Sequence, residues 1–267
     1  KGVAVLKLLA TQMAVSIENA LFYSELENKV KERTYELQVE KKKSDDLLLN
    51  ILPEEVATEL KQTGHTKPRS YEIATVMFTD FENFTSKSEN LSPEELVSII
   101  DKCFTTFDAI ISKYKMEKIK TIGDAYLCVS GLPDKKTHNP LNVIAAAIEI
   151  IETIRQFKNT FSKEKFFDIR IGIHTGPLVA GVVGDKKFAF DIWGDTVNTA
   201  SRMEQNSEAN KINISRSTYD LVKDTYPCIY RGKKAAKNKG MIDMYFVDVK
   251  EPQMEMERPL DKILEKN

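Results

Sequence analysis

Apolar and polar positions change rhythm along this chain. Between Gly2 and Pro53 there is no Pro or Gly, and the pattern predicts one long helix over residues 3–52. From Tyr23 onward, Tyr23, Leu26, Val30, Leu37, Leu47 and Ile51 fall on one a/d seam, interrupted by Arg33, Glu40 and Ser44. A seam broken by polar residues suits a marginal parallel coiled coil whose register a signal could shift. The Lys/Glu-rich stretch 25–43 also reads as a solvated single helix. Pro53 stops the helix, residues 51–60 predict a short connecting helix, and the polar loop 62–70, with Gly64 and Pro68, marks a domain boundary.

Beyond the loop, short β-rich runs alternate with amphipathic stretches. Residues 73–78 predict a buried strand ending in an acidic turn. Ser92-Pro93-Glu94-Glu95 is a capping box with Pro at the first helical position, opening a helix to about Tyr114. A hairpin is expected at 116–121 and 125–130, a helix at 142–161, and a second strand pair at 168–174 and 178–183 around Thr175-Gly176-Pro177. A helix at 196–205, a strand at 211–214, a short helix at 217–223 and strands at 228–230 and 244–249 complete the order. Strand–helix–strand–strand–helix–strand order predicts an α+β sandwich, with helices covering one face of a mostly antiparallel sheet. The expected divisions are a signalling helix over 1–52, a connector over 53–70, a globular domain over 71–250 and a tail over 251–267.

Composition narrows the function classes. The 267 residues suffice for one sizeable core plus an extension, and a net charge of −1 argues against a groove built to neutralise nucleic-acid phosphates. Cys103, Cys128 and Cys228 show no metal-ligand spacing and read as reduced, buried thiols of a cytoplasmic protein. His65, His138 and His174 form no cluster and read as surface or turn residues. Lys7, Gln12, Ser16, Glu18 and Asn19 interrupt the apolar N-terminal run, so no membrane segment is expected. The chain opens at Lys1 in the middle of helical periodicity, as a fragment of a longer protein would.

The candidate chemistry centres on Asp80 and Asp124, each following a β-rich run, 73–78 and 117–122. Either Asp alone reads as a turn cap. Adjacent strands would set the two carboxylates side by side, where they repel unless a divalent cation lies between them, and hard oxygen ligands suit Mg²⁺ or Mn²⁺.

Three separated segments carry a resemblance. They are Val76-Met77-Phe78-Thr79-Asp80-Phe81-Glu82-Asn83-Phe84-Thr85, Glu117-Lys118-Ile119-Lys120-Thr121-Ile122-Gly123-Asp124, and the run from Phe190 to Arg202 containing Asp191, Trp193, Asn198 and Arg202. In order and spacing they resemble the signature segments of class III nucleotidyl cyclases, over about residues 73–249. That resemblance implies a ferredoxin-like βαββαβ core and cyclisation of a nucleoside triphosphate with release of pyrophosphate. It assigns two metal ions to Asp80 and Asp124, with the Phe81 carbonyl as a further ligand, and the β- and γ-phosphates to backbone N–H groups of the turn Phe81, Glu82, Asn83, Phe84 and Thr85. Asn83 stands where Gly is usual, and Asn tolerates the backbone angles such a loop needs. Asn198 is implied to orient the ribose and Arg202 to meet charge on the α-phosphate; Lys237 or Lys239 would hold the terminal phosphates.

By the same resemblance, Lys120 and Asp191 occupy the base-reading positions. Adenine offers an acceptor at N1 and a donor at N6, and guanine reverses both. An ammonium only donates and a carboxylate only accepts, so this pair is expected to select ATP and produce cyclic AMP. A guanylyl cyclase, or a non-catalytic nucleotide-binding or dimerisation module, is the alternative. In the family, metal and base-reading residues come from different subunits, which implies a homodimer, joined also through the N-terminal coiled coil. Residues 8–27 further resemble the last helix of a GAF sensory domain, implying an upstream sensor in cis.

Overall fold

The computed structural model describes residues 2–160, 166–184 and 187–249, and the chain divides into two units, Lys1–His65 and Thr66–Asn267. The tail over 251–267 and the end of the expected 142–161 helix lie outside the described residues.

In the first unit, α1 (Gly2–Leu49) runs without interruption. After Pro53, α2 (Glu54–Thr63) ends at Gly64, whose left-handed φ of 75° lets its N–H reach the Leu60 carbonyl. Lys61 pairs with Asp45 at 2.7 Å, tying the two helices. The seam residues are 46–67% exposed in the single chain. An 18-residue window in α1 reaches a mean hydropathy of 1.2 with no more than two charges. By length and composition alone that passes for a membrane span, contrary to the sequence expectation, although the core helix of a soluble protein passes equally.

The second unit is built on an 8-stranded sheet. Its elements are β1 (Arg69–Glu82), α3 (Phe84–Ser88), α4 (Pro93–Lys113), β2 (Glu117–Ile122), β3 (Ala125–Ser130), α5 (Pro140–Thr160), β4 (Asp168–Val183), β5 (Ala189–Trp193), α6 (Asp195–Gln205), β6 (Ile212–Ser215), α7 (Arg216–Val222), β7 (Cys228–Ala236) and β8 (Gly240–Val247). Strand order is β2-β3-β1-β4-β6-β8-β7, with β5 also on β4. Every pair is antiparallel except β4 with β6. The α+β architecture is as expected, and the capping box at Ser92 is formed in full.

Three features depart from the sequence reading. The expected strand pair at 168–183 is one 16-residue strand. Thr175-Gly176-Pro177 does not turn, because β1 pairs along both halves. Pro177 falls opposite the β1 bulge between Tyr71 and Ala74, where the ladder is interrupted and its missing N–H costs nothing. Asp80 likewise lies inside a strand, since β1 stays paired to β4 as far as Glu82.

The third departure concerns layers. Ile169, Ile171 and Ile173 of β4, with Met77 and Phe81 of β1, join a core shared with Phe107 of α4 and Ile150 of α5. Strand alternation turns Arg170 and Gly172 to the opposite face. There α6 lies, so close that a Cβ on Gly172 would fall 1.9 Å from the Glu204 nitrogen. Helices therefore cover both faces. The cause is the buried strip of α6, formed by Thr196, Thr199, Ala200, Met203 and Glu204.

Candidate active site

Asp80 sits on the α6 side of β1, opposite Arg170 of β4. Its position is fixed from behind by Phe81, whose 2%-exposed ring packs among Phe84, Phe104, Phe107 and Phe167. Asn83 takes the left-handed φ of 57°, as its side-chain chemistry allows. Phe84 and Thr85 then open the five-residue α3 rather than an irregular loop, so their N–H groups are first-turn donors without an intrahelical partner.

Gly123 supplies the left-handed φ of 64° that turns β2 into β3 and presents Asp124 beside Asp80. The Asp124 carboxyl is pushed up from its ordinary value, first by burial and then by the charge of Asp80, while the Phe81 N–H bonds to it and opposes the rise. Glu204 of α6 is raised to about 7, by burial first and by Asp80 and Asp124 as well, with Arg170 opposing. Three carboxylates thus share one guanidinium. Arg170 Nη2 donates to Asp80 Oδ1 at 2.9 Å and lies 3.1 Å from Glu204 Oε1.

That excess of negative charge is what a divalent cation would relieve. No group of three or more Asp, Glu, His or Cys among the described residues is placed to hold one ion. Two carboxylates and a carbonyl, completed by water and substrate oxygens, are a donor set that Mg²⁺ or Mn²⁺ accepts. The residues fit the metal.

Lys120 of β2 and Asp191 of β5 meet, with Nζ 2.5 Å from Oδ2 and side chains 43% and 16% exposed. Asp191 Oδ1 accepts from the Ile192 N–H at 2.9 Å, which fixes the plane of the carboxylate. On α6 the buried strip leaves Asn198 exposed and the Arg202 head outward, where Nη1 donates to Gln205 Oε1 at 2.5 Å. Lys237 and Lys239 part company. Lys237 is exposed in the β7–β8 turn, whereas Lys239 folds back onto Asp195 at the start of α6.

Sequence reasoning missed Arg170, Gly172, Glu204 and the true place of His174. The run Asp168-Ile169-Arg170-Ile171-Gly172-Ile173-His174 alternates strictly, so its non-Ile positions had to face something other than the Ile core. A Glu on the buried face of α6 was the matching signal. His174 is no surface residue: it is a strand residue whose imidazole is lowered to about 4, by burial first and by Lys239 second. Its Nδ1 lies 2.7 Å from Ser215 Oγ. The thiols are free, with Cys103 and Cys128 buried and Cys228 only half-buried, short of the expected burial. Burial pushes the Cys103 thiol up to about 12.

An α+β sandwich with paired aspartates on one sheet face, a Lys/Asp pair and an Asn/Arg helix face is the arrangement of a class III nucleotidyl cyclase. The profile of the adenylate and guanylate cyclase catalytic domain matches residues 66–249, and the chain belongs to that family. Residues 5–60 match the family described as heme NO binding associated. That replaces the expected GAF helix as the source of the N-terminal likeness.

Receptor-type guanylate cyclase gcy-13 of Caenorhabditis elegans is 41% identical over 228 residues, covering 84% of this chain and 22% of that protein. The chain spans about a fifth of the length of such relatives. The guanylate cyclase domain of RhGC from Catenaria anguillulae, in complex with GTP, is 38% identical at a TM-score of 0.64, covering 67% of this chain and 97% of that one. The catalytic core of a rhodopsin-guanylyl cyclase with converted specificity, in complex with ATPαS, is 40% identical at a TM-score of 0.64, covering 68% and 98%. These kinships favour the guanylyl alternative over the adenylyl expectation.

Proposed function

We propose that this chain carries a nucleotidyl cyclase domain that takes ATP and forms 3′,5′-cyclic AMP and pyrophosphate. One observation carries the choice of base: an obligate donor, Lys120 Nζ, lies against an obligate acceptor, Asp191 Oδ2. Adenine inserted at that pair would accept from Lys120 at N1 and donate from N6 to Asp191. Guanine would place its N1–H against the ammonium and its O6 against the carboxylate, at a cost of several kcal/mol for mismatched charged partners. The core of converted specificity that holds ATPαS supports the view that this fold serves either base. The second reading, a guanylyl cyclase, is favoured by the guanylate cyclase relatives and by the GTP-bound neighbour.

In either reading the chain's own residues divide the work. Asp80, Asp124 and the Phe81 carbonyl would hold two divalent ions, which when bound acidify the ribose 3′-hydroxyl and neutralise the triphosphate. Phe84 and Thr85 N–H groups, beside Glu82 and Asn83, would receive the β- and γ-phosphates. Lys237, exposed, or Lys239, which would have to leave Asp195, would hold the terminal phosphates. Asn198 would orient the ribose, and Arg202, permanently charged, would leave Gln205 to meet charge building on the α-phosphate. We infer a homodimer in which Lys120, Asp191, Asn198 and Arg202 of one protomer complete the metal site of the other, a cytoplasmic setting for the free thiols, and the exposed seam of α1 as a coiled coil joining a sensor to the enzyme.

Incubation of the purified chain with Mn²⁺ and either ATP or GTP tests the reading. Cyclic AMP from ATP alone is expected; cyclic GMP would keep the chemistry and overturn the base assignment. Asp80→Ala or Asp124→Ala is expected to abolish turnover. No product from a dimeric chain would favour a non-catalytic nucleotide-binding module.

A further inference from the structure

Arg170 is poorly used for a half-buried guanidinium. One nitrogen, Nη2, serves two acids, at 2.9 Å from Asp80 and 3.1 Å from Glu204. Its Nε has no hydrogen-bond partner among the described residues, while Glu204 Oε1 engages the guanidinium through Nη2. A guanidinium and a carboxylate normally meet through paired nitrogens and paired oxygens. Turning Arg170 fully onto Glu204 would satisfy Nε and Oε1 together and release Asp80.

The backbone that carries Glu204 packs directly on the sheet. Its backbone nitrogen stands where a Cβ on Gly172 would be, two residues along the same strand face from Arg170. Its side chain is 8% exposed, against 28% for Arg170 and 25% for Asp80. Glu204 is therefore the innermost of the two acids, and the shared guanidinium contacts both it and the more open Asp80.

We propose that Glu204 is a positioning residue of the metal site: it receives the Arg170 guanidinium when a divalent cation takes Asp80. The proposal rests on Asp80 as a metal ligand. Without Glu204, Arg170 is left with Asp80 and Asp124 alone, the proposed metal ligands, and remains a competing cation there. Loss of the Glu204 charge also lowers the attraction of the site for any cation, but that direct part persists when Arg170 is absent. The two parts are separable by a double-mutant cycle.

The measurement is Mn²⁺ binding to the nucleotide-free chain, read as free Mn²⁺ by electron paramagnetic resonance. Glu204→Gln is expected to weaken binding about tenfold, and Glu204→Asp, which keeps the charge, to weaken it less. In an Arg170→Gln background, Glu204→Gln is expected to change affinity by less than about twofold. Unchanged affinity in Glu204→Gln, or an equal loss in both backgrounds, overturns the proposal. Should Glu204→Gln not fold, Glu204→Asp carries the same cycle: a loss confined to the Arg170 background is expected, and equal or absent losses overturn it. If Mn²⁺ binding to the wild type is indifferent to Asp80→Ala, the metal assignment itself is wrong and the proposal falls with it. Wild-type binding that needs Asp80 but ignores Glu204 removes the proposal alone.

Discussion

His174 and Asn83 show how far a side chain's meaning depends on where the backbone puts it. Asn83 occupies a left-handed position at φ 57°, which its short amide tolerates and a branched residue would not. His174 is kept neutral by burial and by the Lys239 charge, its proton affinity lowered from 6.5 to about 4. Between those values the unfolded chain binds a proton that the folded chain refuses. Stability from this group is therefore complete above pH 6.5 and is lost as pH falls toward 4, on the order of 3 kcal/mol in all. Glu117, raised to about 7 by burial, slopes the opposite way, so the comparison must be with a variant. Urea unfolding of wild type and His174→Gln at pH 7.5 and 5 is expected to show a shallower acid loss in the variant. Equal slopes would mean that His174 is not the titrating group.

At the scale of elements, β4 organises the site. Its Ile face closes the core against α4 and α5, and its Arg170/Gly172 face receives α6. Because a Cβ on Gly172 would meet the backbone of Glu204 at 1.9 Å and of Met203 at 2.5 Å, no rotamer change can make room. Gly172→Ala is expected to cost about 3 kcal/mol in urea unfolding, since overpacking here moves a helix. It should also lower turnover through displaced Asn198 and Arg202. Gly123→Ala is the contrast: its Cβ meets nothing within 4 Å, so only the left-handed backbone penalty of about 1 kcal/mol applies. If both variants lose equally, close packing of α6 is not what Gly172 provides.

At the scale of the whole molecule, the proposed division of each site between two protomers has a direct consequence. Asp80→Ala and Arg202→Ala should each be inactive alone. Mixed in equal amounts and allowed to exchange, half the dimers carry one intact site of two, and about a quarter of wild-type activity should return. No recovery would place both sets of residues at one site within a chain. Such an exchange also draws on α1, whose seam is uncovered in the single chain. Deleting residues 1–52 should weaken dimerisation and turnover together, and unchanged values for both would remove α1 from control of the enzyme.

The sequence by itself determined the elements whose signals are local. The capping box opened α4 at Pro93, Pro53 separated two helices, and the turn at Gly123 and Asp124 set a hairpin. Three segments that resemble one family also pointed to Asp80, Asp124, Lys120 and Asp191, while the Asn198/Arg202 spacing depends on residue type and on separation along one element. Only the tertiary structure decided that residues 168–183 run as one strand, because the partner β1, about a hundred residues earlier, holds Pro177 extended against its turn preference. It alone decided that α6 lies on the face opposite α4 and α5, and that Arg170 and Glu204 belong with Asp80. Those residues come from three elements distant in sequence, and charge between them acts through space, where order along the chain carries no record.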